Sequence, residues 1–441
     1  MSSTKHLGPD LLEKLWSGEG WPVEVQREVL PHLFKLCPEC SMAWQEWQPP
    51  RGGEGLPRLP DLRLPATLGR LRPEAESREA REKVKRELRA LFKHPPRRRL
   101  AVIEKARAWY RHPLVVEELL ARSWKAMPGK PKEAEHHAHL AYAVACRGGE
   151  RTRALRALAA AHVANSLRAR GDLQPADSYM KHARSLADEE SVLHPRILAD
   201  IDYLEAVLCL AQGRFRQAEA LESRAILRFH QLGERTSLIQ SLITLGAIHS
   251  AKAEPEQAFE IVSQALPLID PIRERRLHLC ARHNVALYLC DAGRFEEAEE
   301  AFRKNQPLYD RFPDDWTQLR RRWLAGRLAR SRQDWREAER QLVATLEGFA
   351  RKGVGYDAAL ACLDLAELYL AAGEKKKFRR VARGLDGALR SKDLHQEATA
   401  AVVLLRRALV DEVISKELLA HVRNYLDEAR NNPALRFDPS A

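Results

Sequence analysis

Apolar and polar positions along this chain recur with helical spacing nearly throughout, and the alternation that marks strands is missing. The charged stretch from Arg72 to His94 sets Val84, Leu88, Leu91 and Phe92 on one apolar stripe, which predicts a helix. Residues 99–147 read as three helices separated at His112-Pro113 and across Met127 to Pro131, where proline stops a helix. From residue 151 to 390 the pattern acquires a period. Turn positions stand at Gly171, Gly213, Ala253, Gly293, Gln333 and Gly373, separated by 42 residues once and then by 40 four times. Five residues after each stand Ala176, Ala218, Ala258, Ala298, Ala338 and Phe378. Seven residues before each stand the small residues Ala164, Ala206, Gly246, Ala286, Gly326 and Ala366.

A fixed period of this size marks a stack of helical hairpins, because one hairpin exposes an apolar face that only its neighbour can bury. Glycine or a polar residue ends the first helix in a tight turn, and an aromatic such as Phe215, Phe295 or Trp335 packs in the hairpin. The following alanine lets the two helices approach closely. Small residue, then Gly-x-aromatic-x-x-Ala, then Ala183, Ala225 or Ala265 further on, resembles the tetratricopeptide repeat (TPR) over about residues 151–390. The family norm is about 34 residues per repeat, so longer helices are expected here, as in the repeat regions of large bacterial transcriptional activators. The resemblance implies an all-α, right-handed α-solenoid that binds other macromolecules. In such arrays the first helix of each pair lines the groove. Carried over position by position, that gives Asp200, Tyr203, Gln240, His283, Asn284, Arg320, Trp323 and Arg327 as partner-binding candidates. Asn284 stands where the family often holds a peptide backbone, and the same position in other repeats carries Leu, Thr, Leu and Asp. Packing between repeats is the competing role for Tyr203 and Trp323.

The first 48 residues differ from the array. A stretch rich in Pro, Gly and Arg separates them from it, reading as a linker over 49–73 that leads into the charged helix ending by residue 95. Degenerate lead-in helices over 96–150, six repeats over 151–390 and capping helices over 391–441 complete the organisation. Within the opening module His6, His32, Cys37 and Cys40 could complete a tetrahedral shell for one Zn²⁺. So short a module has little core, and a metal would stabilise it where burial cannot. The segments opening at His6 and running from His32 to Cys40 resemble the bacterial zinc-binding anti-sigma domain. That likeness implies zinc and a sigma factor as partner. A redox dithiol at Cys37 and Cys40 and a purely structural zinc staple are the alternatives.

Composition narrows the classes. A net charge of +12 is interleaved with acidic residues, which permits an acidic partner without demanding nucleic acid. Lys93, Arg97, Arg98 and Arg99 read as the densest basic patch. Neither a membrane-spanning apolar run nor a signal peptide is seen, and seven scattered cysteines do not form a secreted disulfide framework, so a cytoplasmic protein is expected. His136, His137 and His139 read as a solvated helix face, and Gly353 to Ala358 as a loop between repeat helices despite its dinucleotide-like spacing. With no phosphate loop, His-Glu-x-x-His or nucleophile elbow, catalysis has no support. A non-enzymatic adaptor or regulator binding a protein or peptide is the leading expectation. A nucleic-acid-associated regulator using the basic surface and a thiol or zinc redox sensor are the alternatives.

Overall fold

Six turns carry the period into three dimensions. Gly171, Gly213, Gly293 and Gly373 hold φ between 71 and 84°, in the left-handed region, and Ala253 (59°) and Gln333 (63°) adopt the same conformation without being glycine. At each turn the next residue's N–H donates back to the carbonyl five residues earlier, from Asp172 N to Leu167 O at 3.0 Å through to Glu374 N to Tyr369 O at 2.8 Å. This bond satisfies a carbonyl that the helix end would otherwise leave orphaned. Phe215, Phe295 and Trp335 then open the second helix of their hairpins. Phe295 does not pack inside its hairpin as the pattern predicts, since it is 44% exposed.

The computed structural model describes residues 74–105, 112–127, 130–188, 194–390, 394, 396–429 and 436–438. These residues form 19 α-helices and no strand. In chain order they are α1 (Glu74–Lys93), α2 (Pro96–Lys105), α3 (Pro113–Ala126), α4 (Pro131–Arg147), α5 (Arg153–Ala169), α6 (Leu173–Asp188), α7 (Pro195–Ala211), α8 (Phe215–Gln231), α9 (Arg235–Ala251) and α10 (Pro255–Ala265). Then come α11 (Arg275–Asp291), α12 (Phe295–Lys304), α13 (Gln306–Asp310), α14 (Asp315–Ser331), α15 (Trp335–Lys352), α16 (Gly355–Ala371), α17 (Phe378–Leu389), α18 (Gln396–Val410) and α19 (Lys416–Ala429). Successive helices pair as antiparallel hairpins, and the fold is all-α, built of TPR-like stacked repeats. Among the described residues no helix is long and apolar enough to cross a membrane.

The helices fall into two compact units. One comprises residues up to 208 with 220–234, and the other 209–219 with 235–441. In the first unit Val84, Leu88 and Leu91 of α1 are buried in one cluster with Val116, Leu119, Val144 and Ala160, so the charged helix shares the core of the helices after it. In the second unit Leu342, Phe349, Leu365, Tyr369, Phe378 and Leu405 form the largest cluster. The small residues seven before each turn are all buried. At two of them glycine is required by space: a Cβ on Gly246 would lie 2.6 Å from Val262 Cγ2, and one on Gly326 would lie 2.7 Å from Leu342 Cγ. Two second helices are broken without any change in period: α10 passes into a tight turn over Leu266–Leu268 with Pro267, and α12 yields to α13 with Pro307. At the C-terminal end α19 lies against α16, and the Tyr356 hydroxyl donates to Ala429 O at 3.1 Å.

Candidate partner-binding face

The first helices of the second unit, α9, α11, α14 and α16, carry most of the groove candidates. Side-chain bonds bridge three of them. Arg327 on α14 donates from Nη2 to Asp291 Oδ1 on α11 at 2.7 Å. Trp323, also on α14, donates from its indole Nε1 to Asp364 Oδ2 on α16 at 2.6 Å. Arg330 pairs with Glu367 of α16, and Arg423 of α19 reaches both Asp364 Oδ1 (2.9 Å) and Glu367 Oε1 (2.8 Å). Asp364 is 1% exposed. Burial would raise its pKa, but Arg423, Arg327, Arg330 and the indole outweigh that and hold it below the ordinary carboxylate value. For Arg327 burial opposes the charge, yet Asp291 and Asp364 prevail and its guanidinium is held above its usual range.

These bonds change the reading of Arg320, Trp323 and Arg327. The three do share α14, but Trp323 and Arg327 are already engaged by internal carboxylates, and the Trp323 ring packs edge-on to Phe349 at 5.4 Å. Arg320 alone of the three is exposed. His283 is likewise engaged inside the protein. It is buried with Nδ1 2.8 Å from the Tyr309 hydroxyl, and burial together with the Arg320 charge pushes its pKa down to about 3. Gln240 and Asn284 are half-buried on α9 and α11.

In the first unit Asp200 accepts from Arg196 Nε at 3.0 Å within α7, and Arg196 also pairs with Glu234 at 2.6 Å. Burial pushes the Asp200 carboxyl up despite that partner. Tyr203 packs against the core with its ring 6.0 Å from Trp124. The basic patch loses a member. Lys93, Arg97 and Arg98 are exposed, but Arg99 folds back to donate to His94 O at 2.9 Å and lies over the Phe92 ring at 4.6 Å. The histidine cluster is not a solvated face: His137 is 6% exposed, stacks edge-on with Phe92 at 5.2 Å, and burial lowers its pKa to about 4. Gly353 forms the left-handed cap between α15 and α16, and Tyr356, Asp357 and Ala358 lie in α16. His6, His32, Cys37 and Cys40 lie outside the described residues. Among the described residues no group of three His, Cys, Asp or Glu could hold a metal ion.

The residues that sequence reasoning passed over are Asp291, Arg330, Asp364, Glu367 and Arg423. A signal for Asp364 existed, since it stands two periods after Asn284, at the register position singled out there. Arg423 had none, because it comes from a helix beyond the repeat pattern.

No family model matches the chain, and no curated protein matches it. Solved structures do. A Rap protein complexed with Competence and Sporulation Factor matches with a TM-score of 0.55 and 14% identity, over 71% of this chain and 87% of that one. NprR in complex with its cognate peptide NprX gives 0.46 and 15% over 70% and 88%. A tetratricopeptide repeat protein from Parabacteroides merdae gives 0.38 and 17% over 66% and 98%. At 14% identity the likeness to the Rap protein is one of fold.

Proposed function

We propose that this protein is a non-enzymatic regulatory adaptor, acting in the cytoplasm, that captures a protein or peptide partner on the first helices of its second unit. One observation carries the reading: α11, α14 and α16 are tied side chain to side chain by Asp291–Arg327 and Trp323–Asp364, while Arg320 stands exposed beside them. A face held by internal ion pairs is ordered before a partner arrives, which lowers the entropic cost of binding. An unpaired guanidinium recognises a carboxylate through two parallel hydrogen bonds. The Rap protein of like fold was solved complexed with Competence and Sporulation Factor, which supports a capturing role for such an array. A partner segment bearing a carboxylate fits best. One Zn²⁺ at His6, His32, Cys37 and Cys40, supported by the spacing of those residues, and a sigma factor as the partner, supported by the likeness of the first 48 residues, belong to the same reading. Metal analysis of the reduced, zinc-supplied chain tests the ion, and Cys37→Ser with Cys40→Ser should remove it.

The partner is found by capture from the native host, then titrated against variants. Arg320→Ala should weaken binding by about 1.5–3 kcal/mol, the usual worth of a hydrogen bond to a charged group, and Asn284→Ala by about 1 kcal/mol. Unchanged affinity in both variants rules out this face.

A further inference from the structure

A second basic run, besides the one near Arg97, lies in the second unit. Between Lys375 and Arg390 stand seven Lys and Arg against a single acid, Asp386. Lys375, Lys376, Arg379, Arg380, Arg383 and Arg390 are all exposed. Elsewhere the protein pairs its charges readily. Here Lys377 meets Glu339 at 2.8 Å, Arg379 meets Glu412 at 3.4 Å, and Asp386 is taken by Arg406 at 2.8 Å. Among the described residues Lys375, Lys376, Arg380 and Arg383 have no carboxylate within 4 Å. The first turns of three other second helices, α10, α12 and α15, carry Glu256, Glu296, Glu297 and Glu337, which suits the positive end of a helix, and those of α6 and α8 carry no acid. Three lysines directly before the positive end of α17 are not favoured by its dipole.

The chemistry of the patch selects its partner. Its apolar residues Phe378, Val381 and Leu385 are buried, and no large apolar side chain between 375 and 390 is exposed among the described residues. A protein interface needs buried aromatic or aliphatic anchors at its centre and is depleted in lysine. A phosphate backbone needs neither, only repeated charge and donors. Arg379, Arg383 and Arg390 follow one another along one side of α17, giving a row rather than a point of charge. We propose that the basic surface formed by the outer face of α17 and the turn of Lys375–Lys377 before it binds the phosphate backbone of a nucleic acid without regard to sequence. The proposal is independent of partner capture on the first helices, because it uses none of those residues.

The test uses the full chain and a labelled mixed-sequence duplex of about 20 base pairs, titrated from about 50 to 200 mM salt. Wild type should bind with an affinity that falls steeply with salt. Replacing Lys375, Lys376, Arg380 and Arg383 together by Gln should reduce the log–log salt slope by about three to four, close to one per lost contact. All four side chains are exposed and none meets a carboxylate within 4 Å among the described residues, so the melting curve should move little. Arg380→Lys with Arg383→Lys should keep the slope, and Arg97→Gln with Arg98→Gln should leave it unchanged. Absence of binding at the lowest salt, or an unaltered slope in the fourfold variant, overturns the proposal. So does equal competition by poly-glutamate of matched charge, which would assign the surface to an acidic protein.

Discussion

Each unit buries one aspartate among arginines, and the two sites differ in what surrounds them. Asp202 on α7 accepts from Arg184 of α6 at 2.6 Å, from Arg224 of α8 at 3.2 Å and from Arg228 of α8. Arg184 also holds Glu205 at 2.5 Å, and burial with the nearby Arg184 charge pushes the Arg228 guanidinium down to about 10. All three arginines come from second helices, so this carboxylate holds the seam between hairpins. Asp364 on α16 looks the other way, to Trp323 and Arg330 on the preceding first helix and to Arg423 on α19. Residue type and depth are alike in the two cases. The direction from which the partners come separates a seam from a candidate binding face.

The largest expected effect tests the seam. Asp202→Ala leaves three arginines facing one another, so the first unit should lose about 3–5 kcal/mol in denaturant unfolding, as when one member of a buried pair is removed. A loss below about 1 kcal/mol would show the cluster to be solvated instead. On the other side, Trp323→Ala removes an indole packed on Phe349 and should cost about 3 kcal/mol. If stability holds and only partner binding falls, the ring is an anchor after all, and the contrast between the two sites becomes sharper still.

Acid probes both units alike and sets the background for these measurements. Burial holds His162 in the first unit down to about 4 and His283 in the second to about 3. Both lie below the unfolded value near 6.5, so the unfolded chain takes the proton first. Stability is then complete above about pH 6.5 and declines toward pH 4, by roughly 3 kcal/mol for His162. His162→Leu should flatten that slope in melting curves, and a profile already flat in wild type would refute the neutral buried ring. The smallest stability effect belongs to Arg320→Ala, within about 0.5 kcal/mol, as for an exposed and unpaired side chain.

Much of the fold was legible because its cause is periodic. Turn, small residue and alanine recur by register, and the structure buries each alanine and closes each turn with the same backbone bond. The helix breaks at Pro113 and Pro131 were legible for a local reason, since proline stops a helix whatever surrounds it. The candidate site was legible only in part. Register gave the helix on which Trp323 and Arg327 stand, but their partners Asp364 and Asp291 lie about one repeat away, and Arg423 lies 59 residues beyond Asp364. His137 failed for a related reason: its depth depends on Phe92, 45 residues earlier, and not on its charged neighbours in sequence. The run at Lys375 is masked by the repeat itself, because it occupies the turn position of the sixth period.

The left-handed turns at Ala253 and Gln333 bear on how kinship among such chains is detected. A search keyed to glycine would count four of these hairpin turns where the backbone makes six. Both residues sit in a conformation that side chains with a Cβ tolerate poorly, so Ala253→Gly or Gln333→Gly should be accepted without rearrangement. What recurs along this chain is a sequence of torsion angles, written each time in different letters.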